Sequence, residues 1–304
     1  MSHKFTIVPF ACWLVIASAS PAAERPHPEN DAVRMDRTVG AGQPLPSADQ
    51  VIQRMLVHSA ALAAATNAPA WAYDKTQVMS QLDGDAKVKE RTEKLYRVRI
   101  IQGVPFSRLV KVGGRELTEA DIEKESQHEA AFEKGFSGRD PKKAVAKHEA
   151  LITKDMMDLF QCKVLRREAI HGRQTVVVSF EGKPGKGGGG IQERMLSRMA
   201  GTLWVDEETA DMARVEVHLT KGFSLGILGV LGTIKDCQMN LESKPMTDGT
   251  WLPEKTVLSV SGRMLLSSMR FKMEETSANY TLEPATPTTL PERIVTDAPA
   301  LKNR

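Results

Sequence analysis

The feature that most constrains this chain is an alternation of apolar and polar residues over residues 199–280. Within residues 212–219, for example, Val215 and Val217 fall on one side of an extended chain and charged residues fall on the other. Turn residues separate such runs, as Asp248 and Gly249 do, because glycine accepts the positive φ of a tight hairpin. Strands joined by short turns pair in antiparallel fashion, so we expect this part of the chain to form one antiparallel sheet.

The N-terminal half adds a helix, further strands and a helical interruption. Ser47 and Gln50 have the spacing of a capping box, which predicts a helix start. Strands are predicted over 71–82, 87–102 and 106–112, a hairpin over 161–181, and charged helices over 118–157. A long antiparallel sheet of this kind curls, and helices can fill its concave side. The sequence therefore predicts an α+β fold that is mainly β, with about ten strands in a strongly curved antiparallel sheet and helices on the concave side.

Both ends of the chain differ from this folded body, which we expect to span residues 47–283. Lys4, an apolar run and small residues before position 24 predict a signal peptide over 1–23, and hence export to the periplasm. Residues 24–46 are rich in proline and predict a disordered linker, and residues 284–304 predict a flexible tail. No later apolar run is long enough for a membrane-spanning helix, so we expect a soluble protein after cleavage.

Two cysteines, Cys162 and Cys237, remain after cleavage, and each lies on a predicted strand. In an oxidising compartment they could form a disulfide. They could equally remain two buried free thiols. The sequence leaves both alternatives open, since it does not show whether the two Cα atoms approach within about 7 Å.

Composition and motifs argue against several classes of function. The formal charge is +3 with opposite charges interleaved, and aromatic residues are 5% of the chain, so a nucleic-acid-binding surface is not predicted. His128 and His148 each begin a sequence like HExxH, but the second histidine is missing. The glycine-rich loop at 183–190 lacks the Lys-Ser or Lys-Thr pair of a phosphate-binding loop. We therefore expect no enzyme activity, no metal and no cofactor.

The segment at residues 223–234 is almost wholly apolar, with Gly226, Gly229 and Gly232 at every third position. So many glycines weaken a strand, so a regular buried strand is disfavoured. One interpretation is a buried loop or sheet corner. The other is a pliable apolar flap at the mouth of a cavity, or one that touches a membrane surface.

Several of these features together resemble the LolA/LolB-like group of periplasmic proteins, which is associated with outer-membrane lipoprotein sorting. They are the capped N-terminal helix, the meander of strands, the interrupting helices, the Gly-Thr-Leu-Trp-Val-Asp strand at 201–206 with its charged turn, and the Asp-Gly-Thr-Trp-Leu-Pro step at 248–253. The resemblance covers roughly residues 47–283. It implies an unclosed antiparallel β-barrel with a helical lid over an apolar cavity, which in the lipoprotein carriers holds acyl chains.

The resemblance and the strand pattern lead to two hypotheses. The first is a monomeric, non-enzymatic periplasmic carrier that binds a lipid or lipoprotein acyl group in an apolar cavity and contacts membranes only peripherally. Its candidate lining residues are equally those of a closed core: Tyr96, Val98, Ile100, Val176, Val178, Phe180, Trp204, Val215 and Val217. The second is an envelope protein-interaction or sensor module, in which the helices at 118–157 or an exposed sheet edge bind a protein partner.

Overall fold

The alternating runs form one antiparallel sheet in the computed structural model, which describes residues 44–64, 70–101, 104–136, 154–183, 191–225, 232–264 and 267–283. The strands are β1 (Ala70–Leu82), β2 (Val88–Ile101), β3 (Val104–Val112), β4 (Arg115–Glu116), β5 (Phe160–Ile170), β6 (Arg173–Gly182), β7 (Met199–Asp206), β8 (Met212–Leu219), β9 (Phe223–Leu225), β10 (Gly232–Pro245), β11 (Trp251–Met264) and β12 (Ser267–Glu283). The sheet order is β4-β3-β2-β1-β12-β11-β10-β8-β7-β6-β5, and β9 pairs with β10.

The sheet is strongly curved and not closed, and it ends at β4 on one side and β5 on the other. This confirms the predicted mainly β, α+β fold. The described residues form twelve strands rather than about ten. The difference arises because β4 and β9 have two and three residues, too few for an alternation to be recognised. The first and last strands pair with each other, β1 with β12, so the two ends of the folded body meet inside the sheet.

The described helices are α1 (Ala48–Ala64), α2 (Glu119–Phe136), α3 (Lys154–Met157) and α4 (Ile191–Leu196). The predicted capping box at the start of α1 is formed. The Ser47 backbone N–H donates to Gln50 Oε1 at 2.9 Å, and the Gln50 N–H donates to Ser47 Oγ at 3.2 Å. Val51 and Met55, one turn apart on α1, are buried in the main apolar core on the concave face of the sheet.

The helix α2 packs at the other end of the sheet, over β2 and β3. The rings of Phe132 on α2 and Phe106 on β3 have centroids 4.9 Å apart. Glu129 on α2 pairs with Arg99 and with Arg108, the latter at 2.9 Å. Arg99 on β2 lies opposite Phe106 on β3, and the adjacent pair in the register is Val98 and Ser107. Neighbouring residues of a strand point to opposite faces, so α2 covers the face opposite to Val98.

Among the described residues, no helix combines the length and apolar character needed to cross a membrane. Several predicted features lie outside these residues: the signal peptide, most of the linker at 24–46, residues 137–153 with His148, the glycine-rich loop beyond Lys183, the centre of the 223–234 segment, and the tail.

Candidate functional site

One row of side chains crosses the concave face over ten neighbouring strands. Residues directly opposite each other in an antiparallel pair share a face, so the strand register traces the row strand by strand. From β5 to β3 its members are Val164, Val178, Leu203, Val215, Leu241, Thr256, Glu275, Gln77, Lys94 and Val112. The first five are apolar and the next four are polar or charged. This row is therefore amphipathic, with its boundary at β11, whereas the neighbouring row stays apolar up to β1 through Leu258, Met273 and Met79.

The apolar half of this face is continuous over β5 to β11. Val178 and Leu203 are 0% and 5% exposed, and they belong to one buried cluster. Helix α1 closes this half with the side chains of Val51 and Met55. Polar contacts hold the same helix to the β7–β8 turn: the Arg54 guanidinium donates to the Glu207 carbonyl at 2.6 Å, and His58 Nε2 lies 2.7 Å from Asp211 Oδ1. Thus α1 covers part of the apolar half, and Met195 and Leu196 of α4 are buried in the same cluster.

The polar half, meaning the charged and amide residues of this row and Lys75 beside them, lies on β12, β1 and β2. Glu275 has a side chain only 5% exposed, and its Oε1 accepts a hydrogen bond from Gln77 Nε2 at 2.6 Å. Lys75 Nζ lies 3.6 Å from the same oxygen and 5.4 Å from the centre of the Tyr96 ring. Burial, together with Tyr280 and Glu275 nearby, raises the pKa of Tyr73, so this phenol stays neutral. A carboxylate, an ammonium and an amide thus meet on the concave face, where the rest of the sheet presents apolar groups.

Eight of the nine predicted lining residues fall into three places. Five of them lie in the apolar half under α1: Val176, Val178, Phe180, Val215 and Val217. Val98 and Ile100 form a separate cluster with Tyr73 and Tyr280. Register places Tyr96 beside Lys75 on the same face as Val98. Whether these side chains contact a ligand remains a prediction.

The prediction that Trp204 shares the concave face is wrong. Leu203 and Val205 belong to the main cluster, so the residue between them points to the other face. There Trp204 packs with Val177, Ala213 and Trp251, and its ring lies 5.1 Å from the Arg214 guanidinium carbon. The convex face has an apolar cluster of its own, and this cluster accounts for the large aromatic residue.

Cys162 and Cys237 carry free thiols in the structure. The two residues lie on β5 and β10, with β6, β7 and β8 between those strands in the sheet. Burial raises the pKa of both thiols, and with Asp236 it raises that of Cys237 to about 11. Both side chains pack against the main apolar cluster.

The two segments that carry the family resemblance meet at a buried carboxylate. Asp206 ends β7 and is 1% exposed. Arg173 contacts its two oxygens at 2.5 and 3.0 Å, and Trp251 Nε1 donates to it at 3.0 Å. The backbone N–H groups of Glu208 and Thr209 each donate at 2.8 Å. Burial alone would raise the pKa of Asp206, but these hydrogen bonds and the Arg173 charge bring it below its usual value. The arrangement is a structural anchor for the β7–β8 turn.

Within the described ranges, no group of three or more His, Cys, Asp and Glu side chains could hold a metal ion. His128 packs its ring against Phe106 and lies 3.9 Å from Glu125, in keeping with an ordinary helix residue.

The polar residues of the concave face are absent from the sequence-based set of site residues. A signal for one of them does exist. In β12, Met269, Phe271 and Met273 alternate on one face, and Glu275 occupies the next position of that apolar series. A charge at an apolar position of a strand indicates a special environment. Lys75 and Gln77 offer no such signal, since their strand is polar through much of its length.

Comparisons with known proteins give only distant likenesses. No family model and no curated protein matches the chain. The solved structures similar to it include a DUF1329 family protein from Desulfovibrio piger, with 9% identity, 77% of this chain and 92% of that chain covered, and a TM-score of 0.32. They also include a LolA superfamily protein from Nitrosomonas europaea, with 11% identity, coverages of 76% and 93%, and a TM-score of 0.28. A third is the MucA/MucB complex of Pseudomonas aeruginosa, with 10% identity, coverages of 78% and 99%, and a TM-score of 0.23. A LolA superfamily protein is thus among the similar structures, as the sequence resemblance predicts. At these TM-scores the likeness carries no argument about function, which depends here on the chain's own contacts.

Proposed function

We propose that this protein is a non-enzymatic periplasmic carrier that binds an acyl chain of a lipid or lipoprotein on the concave face of its sheet. The observation that carries the proposal is the continuous apolar half of that face, against which buried side chains of α1 and α4 pack. A bound acyl chain would replace the contacts of Val51 and Met55 with the sheet. Burying an acyl chain yields about 25 cal/mol per Å² of apolar surface, which supplies affinity without any reactive group.

Export to the periplasm is part of the proposal, and its support is the signal-peptide pattern of residues 1–23. Native mass spectrometry of protein purified from the periplasm tests both points. The polypeptide mass gives the cleavage site, and an additional mass that extracts into organic solvent as lipid supports the carrier. A bare polypeptide, under conditions that retain lipid on a known carrier, would contradict it.

A matched pair of variants separates a binding surface from a closed core. Val177 and Val178 are adjacent on β6, both are 0% exposed, and they face opposite sides of the sheet. Replacing either by threonine buries a hydroxyl and should cost about 1–3 kcal/mol of stability. Only Val178→Thr should also lower the amount of bound lipid, by several-fold. Equal loss of lipid in Val177→Thr and Val178→Thr would mean that stability alone controls the occupancy.

The second candidate function is a protein-interaction module, and helix α2 is the observation that favours it. The helix is attached through Phe132 and Glu129, while Ile122 is 48% exposed on its surface. It carries six acidic and two basic residues, so its free surface suits a basic partner segment. Charge reversal at exposed Glu123 and Glu133 should abolish capture of such a partner and leave lipid binding unchanged. Loss of lipid instead, with partner capture retained, would contradict this candidate.

A further inference from the structure

The charged groups of the concave face indicate which amphiphile the carrier takes. We infer that the polar half of that face, on β12, β1 and β2, binds the anionic headgroup of a lipid whose acyl chains lie in the apolar half. This inference rests on the proposed carrier function and specifies its ligand.

The polar residues of this face lie directly beside its apolar surface. The row next to the polar residues runs through Leu258, Met273 and Met79 on neighbouring strands, and it continues the apolar half up to β1. Gln77 and Glu275 lie two residues along their strands from Met79 and Met273. An acyl chain that lies along the apolar half would therefore end next to the polar residues. An amphiphile fits this arrangement, whereas a purely apolar ligand would leave the polar groups without a role.

The charged groups around Gln77 carry an excess of positive charge. Around Gln77 lie Lys75, Lys94 and Glu275, two positive groups against one negative, while the exposed Glu90 lies on the same face four residues along β2 from Lys94. The carboxylate of Glu275 is already matched by Lys75 and by the amide of Gln77. Lys94, opposite Gln77 in the register, forms no ion pair with any residue in the described part of the chain. The excess positive charge therefore belongs to Lys94, and it favours an anionic headgroup.

The buried pair of Glu275 and Lys75 also has an energetic cost. A buried ion pair often contributes less to stability than apolar side chains of similar size would. On this face the neighbouring rows show that apolar residues fit the same curvature. If this part of the sheet had a purely structural role, Glu275 and Lys75 would therefore lower the stability of the fold relative to apolar residues. A headgroup that accepts hydrogen bonds from Lys75, Lys94 and Gln77 accounts for that choice.

The experiment compares two soluble lipids that differ only in headgroup, dioctanoyl phosphatidylglycerol and dioctanoyl phosphatidylcholine, titrated into the whole mature protein by calorimetry. We expect the anionic lipid to bind roughly tenfold more tightly at low ionic strength. This ratio should approach one at about 1 M salt, because salt screens accessible charges. Lys94→Gln should reduce the preference to about one, because it should weaken binding of phosphatidylglycerol more than binding of phosphatidylcholine, and Lys94→Arg should restore the preference.

Lys89→Gln is the matched control, since Lys89 is an exposed lysine of the same strand, on the face opposite to Lys94. Equal affinity for the two lipids, or an equal effect of Lys89→Gln and Lys94→Gln, overturns the headgroup site and leaves the carrier standing. Binding of neither lipid overturns the carrier itself. Glycerol phosphate tests the headgroup alone. If it binds as tightly as the anionic lipid, the site is one for free anions, and the inference is overturned.

Discussion

Replacing Asp206 by asparagine tests whether the buried carboxylate anchors the β7–β8 turn. Its Oδ1 accepts from the two backbone N–H groups and from one Arg173 nitrogen, so an asparagine oxygen could keep these contacts. Its Oδ2 accepts from Arg173 Nε and Trp251 Nε1. The asparagine amide group would place a donor there, facing two donors. The variant thus loses two hydrogen bonds to a charged acceptor and leaves an indole N–H unpaired.

Hydrogen bonds to a charged group contribute about 1.5–3 kcal/mol each. The side chain of Arg173 is 24% exposed, so it can recover part of its loss from water. We therefore expect Asp206→Asn to lower the free energy of unfolding by roughly 2–4 kcal/mol. The melting temperature should fall by roughly 5–15 °C for a domain of this size. Urea unfolding, followed by tryptophan fluorescence and far-UV circular dichroism, measures the change.

Glu208→Gln is the matched control, because Glu208 pairs with the same Arg173 at 3.1 Å while its side chain is 72% exposed. An exposed pair contributes about 0.2–1 kcal/mol, so this variant should remain close to the wild type. Equal stability of Asp206→Asn and Glu208→Gln would refute the reasoning, since it would mean that burial adds nothing to the contacts of Asp206.

The same carboxylate makes stability depend on pH. Because the pKa of Asp206 is lower in the folded state, its contribution is present in full above the pKa of an unfolded aspartate, about 3.9. It is lost as the pH falls from that value through the folded-state pKa. The stability difference between wild type and Asp206→Asn should therefore be constant from pH 5 to 7 and shrink below about pH 4. A difference that grows on acidification would contradict the sign of the shift.

Two further predictions concern the concave face. Gly201→Ala should cost about 1–3 kcal/mol in thermal unfolding, because a Cβ there would overlap the Glu216 carbonyl and lie 2.6 Å from the Phe180 ring, whereas Gly84→Ala, with no atom within 4 Å, should be neutral. In the protein without residues 1–23, two thiols should titrate in denaturant, and fewer than two would show a disulfide. Because the pKa of Cys237 is raised to about 11, its thiol should react in the folded protein much more slowly at pH 7.5 than it does in denaturant.

The sequence predicts much of the sheet because the side-chain period of a strand is fixed. Val176, Val178 and Phe180 alternate along β6, and the structure buries all three on one face. The capping box of α1 is equally local, since Ser47 and Gln50 are three residues apart. Trp204 shows where such reasoning ends. Alternation along β7 places Trp204 on the face that Leu203 does not occupy. Because both faces carry an apolar cluster, an apolar side chain alone does not indicate which face it lies on.

The polar half of the concave face depends on contacts that no local pattern contains. Gln77 and Glu275 are 198 residues apart, and they meet only because β1 pairs with β12. A register shift of one residue in that pairing would turn one of the two side chains to the convex face. The pairing of the chain's first and last strands therefore decides whether the concave face is apolar throughout or amphipathic. If the proposed headgroup site is correct, it depends on the pairing of β1 with β12, whereas most of the apolar surface belongs to strands that pair with their neighbours in sequence.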